Sequence, residues 1–274
     1  MDSVIINNNT HNGSAENNEI RLDLSTYLEL HDKQLALQYL GIYYSWRNIQ
    51  SSYNNNKLQY RWVDNVVYDV NIPDGFYSIE DLSAYMQKVM HDNQHYMFDA
   101  NGDPVYFIEF ESNSVYYCTT FFMSPVVIPP GGSNSNLIVN VGKTPQIIIP
   151  ANNITTALGV NAGTYPATYG TTVEYAFKGQ NVPQISPVTT LNVACNITTN
   201  NLNRNRKIIY QFSPTQTYGS YLVIEPSSPV FYKIVNGSYS DITLTFLDQD
   251  FKPINLIDKN ITATLLIADT KARL

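Results

Sequence analysis

Strict alternation of apolar and polar residues near the C-terminus constrains this chain more than any other feature. Ile242, Leu244 and Phe246 interleave with Thr243 and Thr245, and Ile261, Ala263, Leu265 and Ile267 interleave with Thr262 and Thr264. A period of two puts every second side chain on one face, so each run predicts a strand with one face in a core. The stretch Asp248-Gln-Asp-Phe-Lys-Pro253 interrupts the alternation and predicts a hairpin loop. Upstream, Asn236-Gly237 predicts a tight type I′ turn that folds an earlier strand onto this pair, since both residues adopt positive φ readily. The expected C-terminus is therefore the closing part of a β-sandwich.

The rest of the chain carries many short runs of the same kind. Strands are expected at Gln38 to Ile49, Leu58 to Val63, Val66 to Ile72, Tyr96 to Phe98, Val105 to Phe110, Val115 to Met123, Leu137 to Val141, Gln146 to Ile149, Thr171 to Phe177, Val188 to Asn196, Ile208 to Phe212 and Tyr221 to Ile224. One helix is convincing: Ser78 stands as N-cap with Asp81 three residues on, and Ile79, Leu82, Tyr85, Met86, Val89 and Met90 share a face. Short strands divided by Pro, Gly and Asn point to an all-β sandwich or jelly roll. Their number exceeds the eight of a simple jelly roll, which places an inserted β-rich lobe within residues 124–203 of a domain spanning 20–274. Residues 1–19, rich in Asn and without periodicity, read as a flexible arm that orders only against a neighbouring subunit.

Composition narrows the function. Only 14% of residues are charged, 12% are aromatic with 21 tyrosines, and the net charge is −7. A surface finished with amides, hydroxyls and phenols suits contact with other protein, whereas phosphate backbones call for clustered Lys and Arg. No specific nucleic-acid partner is expected; Arg204-Asn-Arg-Lys207 and Lys271-Ala-Arg273 read as a solvated turn and tail. No run approaches membrane-spanning length, and Met1-Asp2-Ser3-Val4 does not read as a secretory signal. Cys118 and Cys195 sit in strand-like runs and read as buried apolar groups in a protein made in a reducing cytoplasm. The sequons at Asn8, Asn12, Asn153, Asn196, Asn236 and Asn260 then have no secretory route to serve.

Each motif that hints at chemistry has a structural reading that fits better. Gly142-Lys143-Thr144 resembles the end of a phosphate loop, but Leu137 stands where the first glycine belongs, so a strand end is expected. His91 and His95 have a metal-ligating spacing without a third ligand nearby, and read as a surface pair at a helix C-terminus. Asp99-Ala-Asn-Gly-Asp103 lacks the closing glutamate of a calcium loop, because Phe110 occupies that position, and predicts a hairpin turn. Asp248 and Asp250 read as turn caps. No nucleophile elbow or Cys–His signature occurs, so no catalytic, cofactor or metal residue is assigned and the chain does not read as an enzyme.

Four phrases in order along the chain carry a resemblance. Ile72-Pro-Asp-Gly-Phe-Tyr-Ser-Ile-Glu-Asp-Leu82, Leu158-Gly-Val-Asn-Ala-Gly-Thr-Tyr-Pro166, Pro183-Gln-Ile-Ser-Pro-Val188 and Phe246-Leu-Asp-Gln-Asp-Phe-Lys-Pro253 resemble the penton (vertex) and minor capsid proteins of virophages, Polinton-like elements and giant DNA viruses. The resemblance runs from about Leu37 to the C-terminus. It implies a single jelly roll, assembled as a homopentamer at the fivefold vertices among hexameric or pseudo-hexameric trimeric capsomers of a major capsid protein. Other minor capsid proteins are further implied partners, the implied location is the virion after assembly in the host cytoplasm, and no cofactor is implied. Two alternatives stay open: another minor capsid role, or a host-attachment module binding glycans through Tyr165, Tyr169, Tyr218 and Tyr221.

Overall fold

The computed structural model describes residues 2–7, 18–134, 142–199 and 207–270. The expected strand over Leu137 to Val141, the basic residues Arg204, Arg206, Lys271 and Arg273, and the sequons at Asn8 and Asn12 lie outside the described residues. The chain divides into two compact units, Met1–Arg47 with Val188–Leu274, and Asn48–Pro187. The inserted part thus begins at residue 48, far upstream of the expected 124–203. Leu58 to Ile72 and the amphipathic helix, which read as sandwich elements by pattern, belong to the insert's own core.

The first unit opens with strands β1 (Asp2–Asn7), β2 (Glu19–Leu30) and β3 (Lys33–Tyr43). The insert follows, with β4 (Lys57–Arg61), β5 (Val67–Asn71), helix α1 (Ile79–Asp92), β6 (Met97–Phe98), β7 (Pro104–Val105) and β8 (Ile108–Asn113). It continues with β9 (Cys118–Met123), β10 (Ser133–Asn134), β11 (Gln146–Ile149), helix α2 (Ile154–Leu158), β12 (Gly163–Tyr165) and β13 (Tyr175–Lys178). Its strands form antiparallel sheets in the orders β12-β11-β4-β5, β13-β9-β8 and β10-β6-β7.

Helix α1 starts as its sequence predicts. The Ser78 hydroxyl accepts the Asp81 N–H at 3.0 Å while the Asp81 carboxylate accepts the Ser78 N–H at 2.9 Å, so two otherwise orphaned donors are satisfied. Leu82, Met86 and Met90 are buried against Tyr60, Phe110 and Phe121, and Ser83 accepts the Phe110 N–H at 3.0 Å, which ties the helix to β8. The second helix, α2, is absent from the sequence reading, because a five-residue Ile-Thr-Thr-Ala-Leu segment is too short and too β-branched to read as helical.

One buried side chain closes the neck of the insert. Asn48 donates to the carbonyls of Tyr77 and Ile185, each at 2.7 Å, and accepts the Tyr77 N–H at 2.9 Å. The Asn48 side chain itself is 2% exposed, and with these three bonds its amide is fully hydrogen-bonded.

After the insert the chain returns to the first unit as β14 (Leu191–Cys195), β15 (Ile208–Phe212), β16 (Tyr221–Ile224), β17 (Tyr232–Lys233), β18 (Gly237–Leu247) and β19 (Thr262–Asp269). Two antiparallel sheets result, β1-β19-β3-β16, in which β17 also pairs with β3, and β15-β14-β18-β2. First strand pairs with last, second with next to last, β3 with β16, and β14 with β15. That is one long hairpin rolled up on itself, the topology of a jelly roll. Ile242, Leu244 and Phe246 of β18, and Ala263 and Leu265 of β19, are fully buried in its core.

Three local expectations change. β18 and β19 are not a paired hairpin, since β18 pairs with β14 and β2 while β19 pairs with β1 and β3. Alternation fixes which face is buried, not which partner lies beside it. Asp248 does cap a tight turn, accepting the N–H groups of Asp250 and Lys252 at 2.9 and 2.8 Å, but after Ile254 the chain moves on to bridge Leu256 with Trp46. Asn236-Gly237 makes no type I′ turn: Gly237 begins β18, and the Asn236 amide accepts the Asp32 N–H at 3.0 Å. Residues 2–7 of the expected arm are strand β1, whose Ile6 is buried opposite Ala263.

The edge strand β2 is irregular. Asp23 pairs with Asp241 and Leu28 with Tyr239, so residues 24–27 bow out opposite the single residue Ser240. Tyr27, at 74% exposure, stands at the tip of this bulge.

Replacing Asn48 by alanine removes the side-chain partner of three part-buried backbone groups. The expected cost is about 2–4 kcal/mol, read as a lower denaturation midpoint in urea with an unchanged slope. An Asn48→Asp variant, which keeps the acceptor but loses the donor, should also be destabilised.

Candidate functional site

The positions that hinted at chemistry do not converge. Lys143 extends over the ring of Tyr169, 5.3 Å from its centroid, while Thr144 is buried with its N–H given to Thr171 and its hydroxyl to Val173. That backbone is paired with a neighbouring segment and forms no phosphate cradle. Asp99 accepts the N–H groups of Asn101 and Asp103 at 2.8 and 2.9 Å, bonds that hold its carboxyl below the usual range and cap the β6–β7 hairpin as predicted. Cys195 is buried, and desolvation pushes its thiol up to about 12, so it is inert as a nucleophile at neutral pH. Among the described residues no three His, Cys, Asp or Glu side chains come together around a metal position, and no helix is long and apolar enough to cross a membrane.

His91 and His95 part company because α1 ends at Asp92, before a helical turn can bring them to one face. His91 stacks on Tyr96 with centroids 4.5 Å apart. His95 turns inward, stacked on Trp62 at 4.5 Å and met edge-on by Tyr68 at 4.6 Å. Its Nδ1 lies 2.8 Å from the Tyr60 hydroxyl, which also accepts from the Asn93 amide at 3.0 Å. Burial lowers the His95 pKa to about 4, only partly opposed by Asp64, whose carboxylate holds the Tyr68 hydroxyl at 2.9 Å. The reading of these two residues as a surface pair is thus corrected for His95, a core residue whose signal was the aromatic company of Tyr60, Trp62 and Tyr68 on the adjacent hairpin.

The tyrosines picked out as sugar platforms are divided between the units: Tyr165 and Tyr169 lie in the insert, and Tyr218 and Tyr221, each 37% exposed, lie in the other. Tyr165 stacks on Phe177 at 4.2 Å and donates to Asn161, and Tyr169 donates to the Val63 carbonyl at 2.7 Å. Tyr218 packs edge-on to Tyr44 at 5.7 Å in the other unit. The most exposed rings lie elsewhere, at Tyr27 and in the β8–β9 turn, where Val115, Tyr116 and Tyr117 are 79%, 63% and 73% exposed. Val115 to Tyr117, expected to be strand, form that turn, with the Lys178 ammonium 3.2 Å from the Tyr116 ring centroid.

The outward face of the β1-β19-β3-β16 sheet carries a row of apolar and phenolic side chains. Register places Ile5, Thr264 and Tyr39 in one row across three strands. The next row holds Thr262, Gly41 and Val223, and the last pairs Tyr43 with Tyr221. Tyr43 and Tyr221 meet edge-on at 4.9 Å, and the Tyr221 phenol hydrogen-bonds that of Tyr39. Gly41 is what makes room: a Cβ there would come within 1.9 Å of the Tyr221 oxygen and 2.9 Å of that of Tyr39. Desolvation, helped by the Tyr39 hydrogen bond, pushes the Tyr221 phenol up to about 12, so it stays neutral. The opposite sheet differs, since Arg21 pairs there with Asp23 at 2.7 Å and with Asp241 at 3.5 Å.

No protein-family profile matches the chain, and no curated protein does. Among solved structures it is similar to the crystal structure of the mavirus penton protein, with a TM-score of 0.47 and 9% identity over 91% of this chain and 90% of that one. The jelly-roll assignment rests on the strand order above and not on this likeness.

The His95 site makes stability depend on pH. Its folded pKa lies below the unfolded value of about 6.5, so unfolding takes up a proton between the two, and its contribution is complete above pH 6.5 and declines as pH falls toward 4. Urea melts at pH 7 and pH 4.5 should differ by an amount on the order of 2 kcal/mol that His95→Gln removes. An equal pH dependence in the variant would assign the effect to other groups.

Proposed function

We propose that this protein is a structural component of a viral capsid, the penton that closes the icosahedral fivefold vertices as a homopentamer. The observation that carries the reading is the broad, uncharged, tyrosine-bearing outer face of a rigid jelly roll, on a chain whose candidate chemical residues all serve the fold. Rigid phenol-bearing surfaces lose little conformational freedom on contact, which suits a part whose work is to fit beside other parts. The four phrases that resemble virophage and giant-virus penton and minor capsid proteins point the same way.

In this reading the protein acts by shape. Head-to-tail contacts between identical copies generate a ring when the rotation between neighbours closes, here at five. Two ring contacts of about 800 Å² each would take up roughly a ninth of the chain's 14246 Å², leaving ample surface for the hexameric or pseudo-hexameric capsomers of a major capsid protein and for other minor capsid proteins. The place of action is the virion, after assembly in the host cytoplasm. For the attachment reading, Tyr165 and Tyr169 are engaged within the protein, while Tyr218 and Tyr221 keep 37% of their surface exposed.

The purified chain should scatter light as five copies of 31.0 kDa, 5 × 31.0 = 155 kDa, at capsid-like concentration. A stable monomer or trimer would overturn the vertex assignment.

A further inference from the structure

We infer, independently of the assembly reading above, that the β6–β7 hairpin is a site of self-modification, at which Asn101 loses its side-chain amide and becomes a mixture of aspartate and isoaspartate.

The reaction needs an asparagine followed by a residue without a side chain. Hydroxide takes the proton of the Gly102 amide nitrogen, which then attacks the Asn101 Cγ. The new C–N bond closes a succinimide ring, and the Cγ–Nδ2 bond breaks as the nitrogen takes a proton from water and leaves as ammonia, which restores the hydroxide. A second water opens the ring at either of its C–N bonds. Opening on one side leaves an ordinary aspartate, and opening on the other leaves a main chain that runs through the β-carbon. A Cβ on the attacking residue would crowd the approach, and glycine has none.

Asn-Gly occurs twice among the described residues, and the fold treats the two pairs differently. Around Asn101-Gly102 every residue from Ala100 to Pro104 is exposed, and the flanking strands β6 and β7 have two residues each. So short and wet a hairpin opens locally at small cost, which frees the Gly102 N–H from the Asp99 carbonyl it bonds at 3.1 Å. Gly102 has a φ of +86° and nothing within 4 Å of where a Cβ would stand, so the approach is clear. The Asn101 side chain is held by one long hydrogen bond, 3.4 Å from Nδ2 to Asp99 Oδ2. At Asn236-Gly237 the backbone is fixed on both sides. Gly237 starts β18 opposite Leu30, the Val235 N–H is given to the Ile197 carbonyl at 3.0 Å, and the Asn236 amide accepts the Asp32 N–H at 3.0 Å. Closing a succinimide there would pull Gly237 out of the sheet and break the Asp32 bond.

The product changes the turn that makes it. The N–H groups of Asp103 and Asn101 keep the Asp99 carboxyl below the usual range, so Asp99 is charged at neutral pH. A carboxylate at 101 then sets like charges together where the amide donated, and the isoaspartyl form lengthens the main chain inside a turn that Asp99 clamps. The insert gains a negative charge on a chain that already carries −7.

The test is peptide mapping by mass spectrometry of the full chain, held in mildly alkaline buffer either native or unfolded in guanidinium chloride, for the time in which the unfolded sample converts both sites. Circular dichroism verifies that the native sample stays folded throughout. The expected result is that the native chain converts at Asn101, with the mass change of an amide-to-acid exchange and with isoaspartate present, while Asn236 keeps its amide. Asn101 intact in the native chain overturns the site. Conversion at Asn236 as fast as at Asn101 overturns the protection assigned to β18. Aspartate without isoaspartate overturns the Gly102 attack, since direct hydrolysis by water gives that product alone.

Discussion

A jelly roll tolerates a large insertion only if the inserted chain leaves and returns at nearly the same point, and here the Asn48 amide enforces that condition. Its three hydrogen bonds join the start of the 48–187 segment to Tyr77 and to Ile185 near its end. Without such a clasp the two ends would have to be held together against the closure entropy of a long loop. Asparagine suits the task because one planar group both donates twice and accepts, without the desolvation cost of a charge.

The division between what the residues reveal and what they conceal follows the range of the forces involved. Local chemistry was legible: the Ser78–Asp81 cap, the Asp99 and Asp248 turns, and the strands at Gln146–Ile149, Ile208–Phe212 and Tyr221–Ile224 appear where short-range pattern places them. Pairing was not legible, because β18 and β19 have the alternation of a hairpin and yet serve opposite sheets. Strand β2 passed without assignment although Ile20, Leu22, Leu24, Leu28 and Leu30 share one parity; the charged Glu19, Arg21, Asp23 and Glu29 between them gave the segment the look of a polar edge. The candidate face was invisible in principle, since it gathers Ile5, Thr264, Tyr39 and Val223 from four strands spread over the whole chain.

Polar residues in the interior illustrate how context sets character. His95 is flanked in sequence by exposed Gln94 and half-buried Tyr96, yet it is a neutral core group because Tyr60, Trp62 and Tyr68 surround it. Cys195 likewise behaves as an apolar side chain inside β14. Both are reactive residue types turned to packing.

The bowed segment at residues 24–27 changes what the free edge of the sandwich offers to other molecules. A straight β2 would present an unbroken ladder of N–H and C=O groups along one flank of the sandwich, an open template on which strands of other molecules could stack without limit. Four residues set against one spoil the spacing of that template and twist it away from any flat partner. An edge interrupted in this way is a poor template for open-ended strand pairing between molecules.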